Sequence, residues 1–138
     1  MIYINAQIIN KLLEEAKSAY PFECCGILVG SNNSKKEVLE IYPVENKNKE
    51  RAKDRYEIDS KTFDEIDSKA VQRGSSIIGL YHSHPDHPPI PSEFDKECAC
   101  VWSEYSYIII SVKGEKETEI KSWYLDKKRE VIEEEIKQ

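Results

Sequence analysis

The chain has no apolar run near the roughly 20 residues needed to cross a bilayer. Its start, Met1-Ile2-Tyr3-Ile4-Asn5, also lacks the basic and apolar stretches of a secretory leader, so a cytoplasmic location is the expectation. There is no basic excess: 20 Lys and Arg against 26 Asp and Glu give a formal charge of -6. Nucleic acid is therefore not the expected partner, because phosphate binding needs a basic surface. The basic stretches at 47–55 and 127–129 read as solvated surface. The cysteines, Cys24, Cys25, Cys98 and Cys100, form an adjacent pair and a C-x-C. Neither has the C-x₂-C spacing of a thiolate zinc site or the framework of a small secreted domain, and they read as reduced, buried thiols. No repeat, low-complexity tract or linker divides the 138 residues, and one domain over 1–138 is expected.

The patterning that is present alternates helix and strand. Ile8, Ile9, Leu12, Leu13 and Ala16 recur at helical spacing and stop before Pro21. Residues 25–30 form an apolar run closed by a Ser/Asn turn, which predicts a buried strand, with a second strand at 38–44. The polar stretch 45–55 reads as a mobile surface loop, with extended structure resuming over 55–58. Asp59 or Ser60 then caps a helix whose buried side is marked by Phe63, Ile66, Ala70 and Val71, with Gly74 as its stop. Strands are predicted at 77–81, 105–112 and 118–125, with a helix over 92–102; the glutamate-rich residues 129–138 read as a solvated helix or tail. This order predicts an α/β or α+β fold, a mixed sheet flanked by helices.

The chemistry concentrates in one place. All three histidines, His82, His84 and His87, fall within six residues, directly after a strand and beside Pro85, Pro88, Pro89 and Pro91. Strand side chains alternate faces, so His82 and His84 point the same way with Cα atoms roughly 6–7 Å apart, within reach of one ion. Ser83 faces the other side. Asp95, at the start of the next helix, supplies a third ligand, since α/β sheets place ligands where a helix begins beside a strand's carboxyl end. Two imidazoles and a carboxylate leave a tetrahedral zinc with one open position, the layout of a catalytic site. Ser92-x-x-Asp95 is equally a helix-capping pattern, and the two roles are compatible. Glu23 stands between Phe22 and an apolar strand, where burying a carboxylate is costly unless it is paired or functional. On its own it reads as well as a surface residue where a strand begins.

Read together, Pro21-Phe22-Glu23-Cys24-Cys25-Gly26, Tyr81-His82-Ser83-His84-Pro85, Ser92 and Asp95 resemble the JAMM (MPN+) metallopeptidase family. That family's pattern is a distant glutamate, His-Ser/Thr-His, seven residues, Ser, two residues and Asp; Pro85 to Pro91 supply the seven, and no position departs from it. The resemblance implies a cytidine-deaminase-like fold and a single zinc bound by His82, His84 and Asp95. It also implies that Glu23 acts as general base and that Ser92 steadies the oxyanion. It further implies a peptidase or isopeptidase cleaving after the Gly-Gly tail of a ubiquitin-like or sulfur-carrier protein. His87 lies outside the pattern and is expected to be dispensable. Cys24, beside the base, is a candidate contact for a sulfur-bearing substrate.

Three other readings fit less well. A catalytically silent MPN scaffold would lack the metal ligands kept here. A non-haem iron oxygenase uses H-x-D…H instead of H-x-H…D. A zinc deaminase needs H-x-E and P-C-x-x-C, which are absent.

Overall fold

The structure, a computed structural model, describes residues 1–99, 104–114 and 116–138. Its first helix, α1 (Ala6–Ala19), begins where the Asn5 side chain accepts the Ile8 amide at 2.9 Å. That bond satisfies one of the amides a helix start leaves unpaired. Ile8, Leu12 and Ala16 form the buried stripe read from the sequence.

The strands are β1 (Ile2–Tyr3), β2 (Cys25–Ser31), β3 (Glu37–Val44), β4 (Ser76–Pro85), β5 (Ser106–Lys113), β6 (Glu117–Leu125), β7 (Val131–Glu134) and β8 (Ile136–Lys137). They form one mixed sheet in the order β7-β6-β5-β4-β2-β3-β1-β8, with β4 parallel to β5 and antiparallel to β2. The outermost strands, β7 and β8, are consecutive in the chain, with Glu135 alone between them. One residue spans at most about 3.6 Å, so the sheet must curl until its two edges nearly meet.

Alternation along the strands sends side chains to two cores. Leu28, Ile78, Ile108, Ile110 and Val112 pack with α1, while Ile27, Val29, Ile77, Leu80 and Tyr107 pack with Ile66 and Ala70 of α2 (Ser60–Gln72). Helix α2 is capped by Asp59, whose carboxylate accepts the Thr62 amide, and it stops before Gly74, which takes the left-handed φ of 76°. The third helix, α3 (Glu93–Ala99), lies between the parallel strands β4 and β5 in the chain. No helix among the described residues is long and apolar enough to cross a membrane.

Several expectations change. Residues 129–138 are no helix or tail: they supply β7 and β8, and Glu134 is buried, accepting the Ser122 hydroxyl at 2.8 Å. These short segments gain order from pairing with β6 and β1, which no local periodicity shows. Val71 is 64% exposed, because it lies one residue, about 100° of helix, beyond the Ile66–Ala70 stripe. Strand β4 continues through Pro85, so His82 and His84 lie inside it instead of after it. Residues 55–58 join no strand. Cys24 and Cys25 are buried as expected, whereas Cys98 is exposed. Cys100 and the expected helix end at Trp102 lie outside the described residues.

Candidate metal centre

Leu80, His82 and His84 share the α2 face of β4, as period-2 alternation requires, and Leu80 is part of the core beneath α2. Both histidines are buried. Asp95 comes to the same point from the first turn of α3. That turn is fixed by a reciprocal cap: the Asp95 amide donates to Ser92 Oγ at 3.1 Å, and the Ser92 amide donates to Asp95 Oδ2 at 2.9 Å. The capping pattern and the ligand geometry are therefore one structure.

The three ligand atoms form a tight triangle. His82 Nε2 lies 3.0 Å from His84 Nε2 and 3.2 Å from Asp95 Oδ2, and His84 Nε2 lies 3.0 Å from the same oxygen. The tautomer of His84 decides what this means. Its Nδ1 donates to the Pro88 carbonyl at 2.9 Å, leaving a lone pair on Nε2 aimed at a carboxylate oxygen. Two acceptors facing each other at hydrogen-bond distance repel unless a cation draws both. Tetrahedral zinc with bonds of about 2.0–2.1 Å would set its ligand atoms about 3.3 Å apart, close to the triangle found. His82, His84 and Asp95 are thus a group that fits a metal ion.

The proline-rich loop that orients His84 is anchored throughout. The Asp86 amide donates to Val112 O at 2.7 Å, the Ser111 hydroxyl to His87 O at 2.6 Å, and the Trp123 indole to Pro89 O at 2.9 Å. His87 itself is exposed and outside the triangle. Burial lowers the pKa of His82 against the pull of its Asp95 partner. Burial would raise that of Asp95, but its close contacts with the His82 and His84 rings, together with the Ser92 amide, outweigh it and hold the carboxyl well below the usual range.

The register of β2 on β4 brings in Glu23. Cys25 pairs with His82, and the Ser83 amide bonds to Cys24 O at 3.1 Å, so Glu23 comes level with His84 and shares its face. Glu23 is 5% exposed, and its Oε1 has no hydrogen-bond partner among the described residues. Burial first, then the charges of Asp95 and Asp54, push its pKa up to about 9. The reading of Glu23 as a surface residue is thereby excluded.

This carboxyl should make the stability of the protein depend on pH. It titrates at about 9 in the fold against an ordinary value of 4.5, so between these pH values the folded state binds the extra proton. The metal-free protein should therefore lose stability as pH rises from about 4.5 to about 9. Thermal melts of chelated protein across that range check this, and in Glu23→Gln the slope should flatten. An unchanged slope would count against it.

Some neighbours carry no signal in the sequence. Tyr56, from the stretch expected to resume extended structure after the 45–55 loop, stacks on His82 with ring centroids 4.3 Å apart and an interplanar angle of 20°. Asn46 organises that stretch: its amide donates to Arg55 O at 3.0 Å and Glu23 O at 3.4 Å, and its Oδ1 accepts the amides of Asn48 and Glu57, each at 3.0 Å. Cys24 points to the α1 core instead of the metal face; burial and nearby Glu15 push its thiol up to about 12. An apolar cavity of about 390 Å³ opens beside Tyr56, with Phe63, Leu80, Phe94 and Tyr107 in its walls.

The chain belongs to the prokaryotic homologs of the JAB domain, the family (Prok-JAB) whose model matches residues 5–126. Among curated relatives, it is similar to a desampylase of Haloferax volcanii, 35% identical over 107 residues, 78% of this chain and 75% of that one. A desampylase of Pyrococcus furiosus is 30% identical over 84% of this chain and 76% of its own length. A CysO-cysteine peptidase of Mycobacterium tuberculosis is 26% identical over 89% of this chain and 82% of its own. Among solved structures, a protein from Desulfitobacterium hafniense superposes with a TM-score of 0.85 at 30% identity, covering 99% of this chain and 91% of that one. A JAB1/MPN domain protein from Archaeoglobus fulgidus shares the fold, with a TM-score of 0.61 at 22% identity over 100% of both chains.

Proposed function

We propose that this chain is a zinc-dependent peptidase or isopeptidase that cleaves after the Gly-Gly tail of a ubiquitin-like or sulfur-carrier protein. The observation that carries the reading is the convergence of His82, His84 and Asp95 on one point with the buried carboxyl of Glu23, whose Oε1 has no hydrogen-bond partner among the described residues, on the same face. His82, His84 and Asp95 would hold the metal. Zinc supplies Lewis acidity there, polarising a carbonyl and lowering the pKa of a coordinated water to about 7.

The chain's own residues divide the rest. Glu23 takes the proton of the attacking water and returns it to the leaving amine. Without a metal its carboxyl is held protonated by burial and by Asp95, and a dication beside it reverses that balance. Near neutral pH the base is thus neutral in the empty site and charged in the loaded one. Ser92 Oγ accepts the Asp95 amide, which leaves its hydroxyl proton free to donate to the oxyanion. The anchored proline loop keeps His84 from reorganising as charge develops.

The class of substrate is supported by the relatives, whose names specify a desampylase and a CysO-cysteine peptidase. The test is incubation of the zinc-loaded protein with carrier proteins bearing Gly-Gly-X tails, with the products weighed by mass spectrometry. Release of X, abolished by a chelator and restored by zinc, is the expected result. Intact carriers throughout would overturn the substrate assignment.

A further inference from the structure

Ser83 lies between the two histidines, fully buried, on the face opposite theirs. In a regular antiparallel ladder, a hydrogen-bonded pair exchanges both of its bonds through the backbone. The Cys24–Ser83 pair keeps one such bond, from the Ser83 amide to Cys24 O at 3.1 Å. The other is diverted: the Cys24 amide donates to Ser83 Oγ at 2.8 Å.

The diversion falls where the chain leaves the sheet, since β2 begins at Cys25. One residue upstream, the Glu23 amide donates to Ala52 O at 2.6 Å, and Glu23 O accepts from the Asn46 side chain at 3.4 Å. The peptide joining Glu23 to Cys24 is therefore gripped at both ends by side chains, its carbonyl by Asn46 and its N–H by Ser83. Its orientation sets where the Glu23 side chain leaves the backbone. The shorter grip comes from a residue flanked by His82 and His84, so the peptide that carries Glu23 is tied directly to the strand that carries both histidines.

We propose that Ser83 is a positioning residue that fixes Glu23 relative to His82 and His84 through the Cys24 amide. This rests on Glu23 being the base. Without the hydroxyl, the Cys24 N–H turns to the Ser83 carbonyl or stays unpaired, and the Glu23 carboxyl shifts. Misplacement of a reacting group by about 1 Å costs on the order of 10²-fold in rate.

The experiment uses the full chain loaded with zinc and a carrier protein bearing a Gly-Gly-X tail. Ser83→Ala should keep its zinc by elemental analysis and its KM within about twofold, while kcat falls about 10- to 100-fold. Ser83→Thr, which keeps the hydroxyl, should restore kcat. Adding Ser83→Ala to Glu23→Gln should cost little more, because positioning matters only while there is a base to position. Wild-type kcat in Ser83→Ala, no rescue by Thr, loss of zinc, or a fully additive double variant would each overturn the proposal. Full activity in Glu23→Gln would instead overturn the base assignment. Should Ser83→Ala fail to fold, exchange of the Cys24 amide in the wild-type protein decides: protection supports the bond, and exchange at the rate of exposed backbone removes it.

Discussion

Glu23→Gln is expected to keep its zinc and lose peptide-bond hydrolysis by about 10²–10⁴-fold, the usual worth of a positioned general base. The substitution preserves shape and removes only the ability to take a proton. Glu23 is not among the three converging ligand atoms, so elemental analysis should read one zinc per chain in both proteins. The variant should also fold well, because the wild-type carboxyl is buried without a partner for Oε1 among the described residues and is destabilising whenever charged. A raised melting temperature of the chelated variant near pH 8, together with lost turnover, is the joint signature. Full turnover in Glu23→Gln would remove Glu23 from the mechanism, and loss of zinc would make it a ligand.

Asp95→Ala is expected to lose both zinc and activity, with turnover at the chelated background. Asp95 Oδ2 is the shared point of the site: it lies 3.2 Å from His82 Nε2 and 3.0 Å from His84 Nε2, and accepts the Ser92 amide at 2.9 Å. Removing it deletes one of three ligands and the only negative charge among them. It also breaks half of the cap on α3, for which about 1 kcal/mol of stability is typical. His82→Ala tests the same claim without touching the cap, so zinc lost in both variants, with stability lowered further in Asp95→Ala, separates the two effects. His87→Ala is the control. It should bind zinc and turn over normally, since its carbonyl anchors the loop through Ser111 and its side chain is exposed. Zinc retained in Asp95→Ala, or lost in His87→Ala, would contradict the ligand assignment.

Short-range rules make much of this protein legible from residue order. Helix α1 shows in the spacing of Ile8, Leu12 and Ala16, and helix α2 in Asp59, Ile66, Ala70 and Gly74, because caps, stops and amphipathic stripes are properties of a few neighbouring residues. His82 and His84 sharing a face is equally local, as is Ser92 capping a turn that contains Asp95. The same rules fail where order comes from a distant partner. Residues 131–137 look like a charged tail, yet the curl of the sheet offers them two free edges to pair with. Val71 departs from its expected burial for a related reason: a helix stripe is only as wide as the sheet beneath it.

The proposed metal ligands can be nominated from the order of the residues, since His82 and His84 alternate onto one face of a strand and Asp95 stands at the next helix start. Everything that meets across the chain was left to the tertiary fold. It buried Glu23 beside His84 through the register of β2 on β4, laid Tyr56 on His82, and set Ser83 Oγ against the Cys24 amide next to Glu23. Ligand spacing along a strand is set by its pleat, whereas a carboxyl far upstream in the chain can be placed only by strand pairing, which no local pattern encodes.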